Sequence, residues 1–82
     1  MSQFEKFKKR VMRDKAPRDI MPDELKSFLK KYGFVHKRTC GSHFVYEYPT
    51  GNGSISIPMA KPIKLAYIEE LRDIITKLEE GN

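Results

Sequence analysis

From Phe34 to Pro58 the side chains alternate with a period of two, and turn residues cut the run twice, at Gly41-Ser42 and at "PTGNG" from Pro49 to Gly53. Successive side chains of a strand point to opposite faces, so a sustained period of two signals strands, while Gly-Ser, Pro and Asn-Gly punctuate hairpins. The pattern predicts three antiparallel strands, Phe34 to Cys40, His43 to Tyr48 and Ser54 to Pro58. So small a sheet must cover one face to be stable, so the flanking segments have to supply helices.

They do. Leu25, Phe28, Leu29 and Tyr32 recur at i, i+3, i+4, i+7, the stripe of a helix with one buried face. Pro22 suits the first helical position, Asp23 and Glu24 the positive end of the helix dipole, and Gly33 the C′ position. Met21 is a poor N-cap, and Asp19 is the better candidate for that role. After the loop "MAKPIK", Ile68, Leu71, Ile74, Ile75 and Leu78 mark a last amphipathic helix ending near Gly81. Ahead of both, Phe4, Phe7 and Val11 form a thin stripe on a basic rod, opened by a Ser2–Glu5 capping box and closed before Pro17. The expected order is helix, helix, three strands, helix: an α+β fold with helices on one face of the sheet. Residues 1–18 read as an N-terminal helical extension and 19–82 as the main domain.

Size and composition narrow the classes. Eighty-two residues allow one small domain, and the longest apolar runs are far too short to cross a membrane. The basic N-terminus lacks the apolar stretch of a secretory signal. Cys40, the one cysteine, allows no intrachain disulfide and fits a reducing cytoplasm; it reads as a small, partly buried residue rather than a nucleophile. Two histidines and one cysteine match no usual zinc pattern, so no metal and no cofactor is expected. The net charge of +5 is uneven: residues 1–40 carry 12 Lys/Arg against 5 Asp/Glu, and residues 41–82 carry 4 against 6. A basic half suits a polyanion such as RNA, an acidic protein partner, or simply solvated helix faces.

Strand parity sorts the central strand. Phe44, Tyr46 and Tyr48 share one face, the better core candidate; His43, Val45 and Glu47 share the other. His43 therefore falls on the open face, next to the turn. An unperturbed imidazole titrates at about 6.5, so it can take the 2′-hydroxyl proton of RNA or protonate a departing 5′-oxygen. The backbone of Gly41 and the hydroxyl of Ser42 suit a phosphate, and Lys37 and Arg38, with Lys61 and Lys64 from the later loop, are the candidate cations to hold it. His36 reads as structural, and the tyrosines as core first and stacking platforms second.

The segments "DELKSFLKKYGFVHKRTCGSHFVYEYPTGNGSISIP" and "KPIKLAYIEELRDII" resemble the HicA, or YcfA-like, family of bacterial toxins over about residues 16–78. The likeness lies in the helix ending at Gly33-Phe34, the Gly41-Ser42-His43 turn, the aromatic at Tyr46, the strand ending in Ile57-Pro58, and the Lys-Pro-x-Lys segment leading to Tyr67-Ile68. The resemblance implies a double-stranded-RNA-binding-like fold, metal-independent cleavage of mRNA, and a HicB-type antitoxin as partner in the bacterial cytoplasm. It implies that His43 is the catalytic residue, presented by Gly41 and Ser42. Two positions depart from the pattern. Cys40 stands where a polar or basic residue is frequent, and Met59-Ala60 follow Pro58 where many members carry a second histidine, so either a lysine or arginine assists His43 or cleavage is slow. A non-catalytic RNA-binding module and a protein-interaction domain remain the other two readings. For the antitoxin, Val45 on the open face is a candidate apolar contact, and the Phe4/Phe7 stripe is a candidate second patch.

Overall fold

The computed structural model describes residues 3–13, 15 and 17–81; Ser2 of the expected capping box lies outside them. The elements are helix α1 (Gln3–Val11), helix α2 (Pro22–Tyr32), strands β1 (Val35–Cys40), β2 (His43–Glu47) and β3 (Ser54–Pro58), and helix α3 (Leu65–Glu79). The sheet is antiparallel with order β1-β2-β3, as the two short turns require. This is the expected α+β arrangement, helix-helix-three strands-helix.

Each helix ends where local chemistry stops it. Gly33 takes φ +119°, and the amides of Gly33 and Phe34 both donate to Leu29 O, at 3.2 and 2.9 Å, satisfying a carbonyl that the last turn would leave open. At the other end Glu24 reaches back to accept the Met21 N–H at 2.9 Å, one arm of a capping box. Asp19 does not cap α2. Its carboxylate is taken by Arg10 of α1 at 3.1 Å, and the same guanidinium holds Glu24 at 2.8 Å. The ion-pair partner sits nine residues back on another helix, so a tertiary contact outcompetes the local cap. The hydrogen bond to Glu24, ahead of that to Asp19, raises the Arg10 pKa further above its usual value.

The core is one cluster drawn from every element except β1. Phe7 and Val11 come from α1, Leu25, Phe28 and Leu29 from α2, Tyr46 from β2, Ile55 and Ile57 from β3, and Ile68, Leu71 and Ile75 from α3, with Ile20, Phe34 and Ile63 from the connections. Ile63 N–H donates to Ile20 O at 2.8 Å, tying the two buried loop residues together. The α1 stripe is thus absorbed into the core. Phe4 stacks on Phe28 with centroids 5.2 Å apart, and Phe7 tilts against the same ring at 4.9 Å, so the stripe packs on α2, with Phe4 left half-buried. A polar junction fastens the helices at their rim: Glu79 of α3 pairs with Lys8 of α1 and accepts the Tyr32 hydroxyl of α2 at 3.0 Å. Lys8 holds the Glu79 carboxyl below its ordinary pKa, and burial beside that carboxylate pushes the Tyr32 phenol up to about 12. Among the described residues no helix is long and apolar enough to cross a membrane.

Candidate functional site

The pairing register divides the sheet into two faces. Tyr46 lies opposite Ile55 and Phe44 opposite Ile57, and this face is buried under the helices. His43 lies opposite Pro58, Val45 opposite Ser56 and Glu47 opposite Ser54, and this face carries no helix. His43 is exposed, at the start of the central strand, and its side chain makes no hydrogen bond or ion pair with any described residue.

The turn that leads into it has a defined geometry. Cys40 and His43 are register partners, so Gly41 and Ser42 form a two-residue hairpin loop. Gly41 has φ +61°, whereas Ser42 is not among the residues of positive φ, the combination of a type II′ turn, whose first central position favours glycine. Space is no obstacle at Gly41, since a Cβ there would meet nothing within 4 Å. The strain is purely conformational. Gly41→Ala is therefore expected to destabilise the chain by about 1–2 kcal/mol and to loosen the turn. Denaturant melts check it; an unchanged midpoint would mean that the turn relaxes into another form.

The turn is also held from the far side. Met59 N–H donates to Ser42 O at 2.9 Å, extending the β2–β3 ladder by one bond and drawing the start of the "MAKPIK" loop against the turn. The position following β3 is thus beside Ser42. Lys61 and Lys64 continue from that point; both are exposed and make no ion pair with a described residue, and Lys64 is the N-cap residue of α3.

On the other side of His43, strand β1 contains a bulge. His36 pairs with Tyr46 but Arg38 pairs with Val45, leaving Lys37 as the extra residue. The bulge moves His36 to the helix-covered face and puts Arg38 and Cys40 on the His43 face. His36 stacks on Phe44 at 5.1 Å, lies 5.3 Å from Tyr46, and makes a 2.9 Å hydrogen-bond contact through Nε2 with Thr39 Oγ1. It packs as a structural residue on the face away from His43. Lys37 pairs with Glu47 at 3.6 Å on the open face, whereas Arg38 has no ion pair among the described residues. The expectation of a partly buried Cys40 fails: its side chain is exposed, because β1 is an edge strand and pairing with His43 across the two-residue turn puts Cys40 on the uncovered face. The tyrosines follow the core reading, with Tyr46 buried and Tyr32, Tyr48 and Tyr67 packed against the core. Among the described residues no group of three or more His, Cys, Asp or Glu side chains converges on a point.

The structure brings Gly41, Ser42 and His43 together at one hairpin end, with Cys40 as the register partner of His43 and Arg38 two residues along β1 on the same face, whereas Lys37 pairs with Glu47 at the other end of β2. Lys61 and Lys64 reach that end only through the Met59–Ser42 bond and the loop after it. The family model of the HicA toxin of bacterial toxin–antitoxin systems matches residues 22–79, from the first residue of α2 to the last of α3, with the turn and His43 inside and α1 outside. Comparison with curated proteins and with solved structures returned no match. With more than two-thirds of its length matched, in the strand and helix order that the turn requires, the chain belongs to the HicA family of toxins of bacterial toxin–antitoxin systems.

Proposed function

We propose that this toxin is a metal-independent endoribonuclease, an mRNA interferase that cuts mRNA with His43 as general acid–base and is neutralised by a HicB-type antitoxin. One observation carries the reading: the toxin-family hairpin carries an exposed imidazole on an open sheet face, next to a glycine turn and with Arg38 on the same face. In the reaction His43 takes the proton of a ribose 2′-hydroxyl as its oxygen attacks the adjacent phosphorus. The P–O5′ bond breaks, leaving a 2′,3′-cyclic phosphate and a 5′-hydroxyl that takes its proton from a lysine ammonium or water. The turn amides and Ser42 Oγ receive the phosphate oxygens, and Arg38, Lys37, Lys61 and Lys64 offset the charge that builds on them. Lys37 is the weakest of these, because Glu47 already shares its charge. His36 supplies no second imidazole, since it lies on the other face of the sheet.

A second reading has one observation in its favour. No described residue orients the His43 ring, whereas a catalytic imidazole is usually held by a partner on its second nitrogen. A non-catalytic RNA-binding module would need only the free cations Arg38, Lys61 and Lys64. Purified toxin incubated with RNA and a chelator separates the two. Cleavage with cyclic phosphate ends supports the enzyme. Salt-sensitive binding without any cleavage would replace it by the module.

An antitoxin that silences such a site has to cover the His43 face. Acidic groups opposite Arg38 and Lys61 would steer the encounter and displace RNA from the same cations. Exposed pairs of this kind contribute only about 0–1 kcal/mol each, so the hold has to come from apolar contacts, for which half-buried Val45 and exposed Val35 lie on that face.

A further inference from the structure

Between α1 and α2 runs a groove of about 480 Å³ floored by Phe4, Phe7 and Phe28. Phe7 and Phe28 are buried in the core, whereas Phe4 is only half-buried and lines the opening. Lys6 and Lys31 stand on its rim, exposed and in no ion pair with a described residue, and Ser27 is exposed along its wall. Arg10 is the third rim cation, but Glu24, which also lines the groove, and Asp19 pair with its guanidinium, so the net positive charge of the rim comes from Lys6 and Lys31. The helix that builds one wall is itself basic, with Lys6, Lys8, Lys9 and Arg10 against Glu5.

Phenyl rings below and ammonium groups above fit an acidic segment that carries an apolar side chain. An RNA strand would use the cations and leave the recessed phenyl floor unfilled, since bases stack on open ring faces. The groove also lies in the helical layer, while His43 is on the opposite face of the sheet. The helix outside the family-matched span, α1, forms one wall and carries Lys6, and α2 forms the other and carries Lys31. We infer that the α1–α2 groove is a second docking site for the antitoxin, receiving an acidic, apolar-studded segment of it, and that this contact selects the antitoxin of a toxin that carries α1. The inference rests on the toxin having a protein antitoxin, and not on His43 being catalytic.

Two variants alter charge and shape separately: the double variant Lys6→Glu with Lys31→Glu, and Ser27→Tyr, which plugs the groove at unchanged charge. All three positions are exposed, so thermal melts should match wild type. Affinity is measured by biolayer interferometry against the purified antitoxin that neutralises the wild-type toxin in cells, and against a labelled single-stranded RNA. The charge variant is expected to bind antitoxin at least about tenfold more weakly, mostly through a slower and less salt-sensitive association rate. Ser27→Tyr is expected to lose a similar factor through faster dissociation, and both variants should keep wild-type affinity for RNA. Wild-type affinity of both for the antitoxin overturns the inference. So does a loss confined to RNA, which would assign the groove to nucleic acid. Failure of the free toxin to cut RNA would sink the nuclease reading and leave this comparison standing.

Discussion

His43→Ala is expected to abolish RNA cleavage and growth arrest while leaving the chain as stable as wild type. The ring is exposed, bonded to no described residue, and at the end of a hairpin whose register depends on the Gly41–Ser42 turn rather than on the imidazole. Truncating such a side chain should change stability by no more than about 0.5 kcal/mol, so lost activity cannot be blamed on unfolding. Removing a general acid–base group commonly costs about 10²–10⁴ in rate, and with no second imidazole on this face the loss should reach the upper end. The matched control is His36→Ala. Its ring lies on the helix-covered face against Phe44 and Tyr46, and the variant should keep most activity while losing a little stability. Cleavage by His43→Ala at the wild-type rate would remove the nuclease mechanism and leave the binding module.

The largest effect on stability is expected at Leu71. Its side chain is 0 % exposed in α3, packed in the cluster that joins the helices to Ile55 and Ile57 of the sheet. Leu71→Ala loses the burial of its branched end and leaves a cavity that close-packed neighbours fill only in part, a cost of about 2–5 kcal/mol. Domains of this size hold only about 5–15 kcal/mol in all, and a short chain sits near the low end. Each kcal/mol moves Tm by about 4–8 °C for such a domain, so the shift should be plain in a thermal melt. A melt indistinguishable from wild type would mean that α3 does not bury this face.

The sheet and α2 were legible because their signals are local. Alternation and a Gly-Ser turn specify β2 and its neighbours, and Pro22 and Gly33 bracket α2. What escaped was set by contacts between distant segments. Asp19 reads as a cap until Arg10, nine residues earlier, takes its carboxylate. The thin stripe of α1 does not reveal that Phe28 will receive both Phe4 and Phe7. At the site, strict alternation would put His36, Arg38 and Cys40 on one face. The bulge at Lys37 separates His36 from the other two, and one inserted residue leaves no mark on composition or period. Parity within β2 has no such break, which is why His43 was assigned to the open face and is found there.

Attack by a ribose 2′-oxygen at the His43 face stands or falls on one substrate. An RNA oligonucleotide is mapped for its cleavage position, then remade with a single 2′-deoxy sugar at that nucleotide. The account predicts that wild-type toxin binds the two with the same affinity and leaves the deoxy oligonucleotide uncut at that position. Cleavage of the deoxy oligonucleotide at the mapped bond would contradict it, since no 2′-oxygen would then be needed and a base at His43 would have no proton to take.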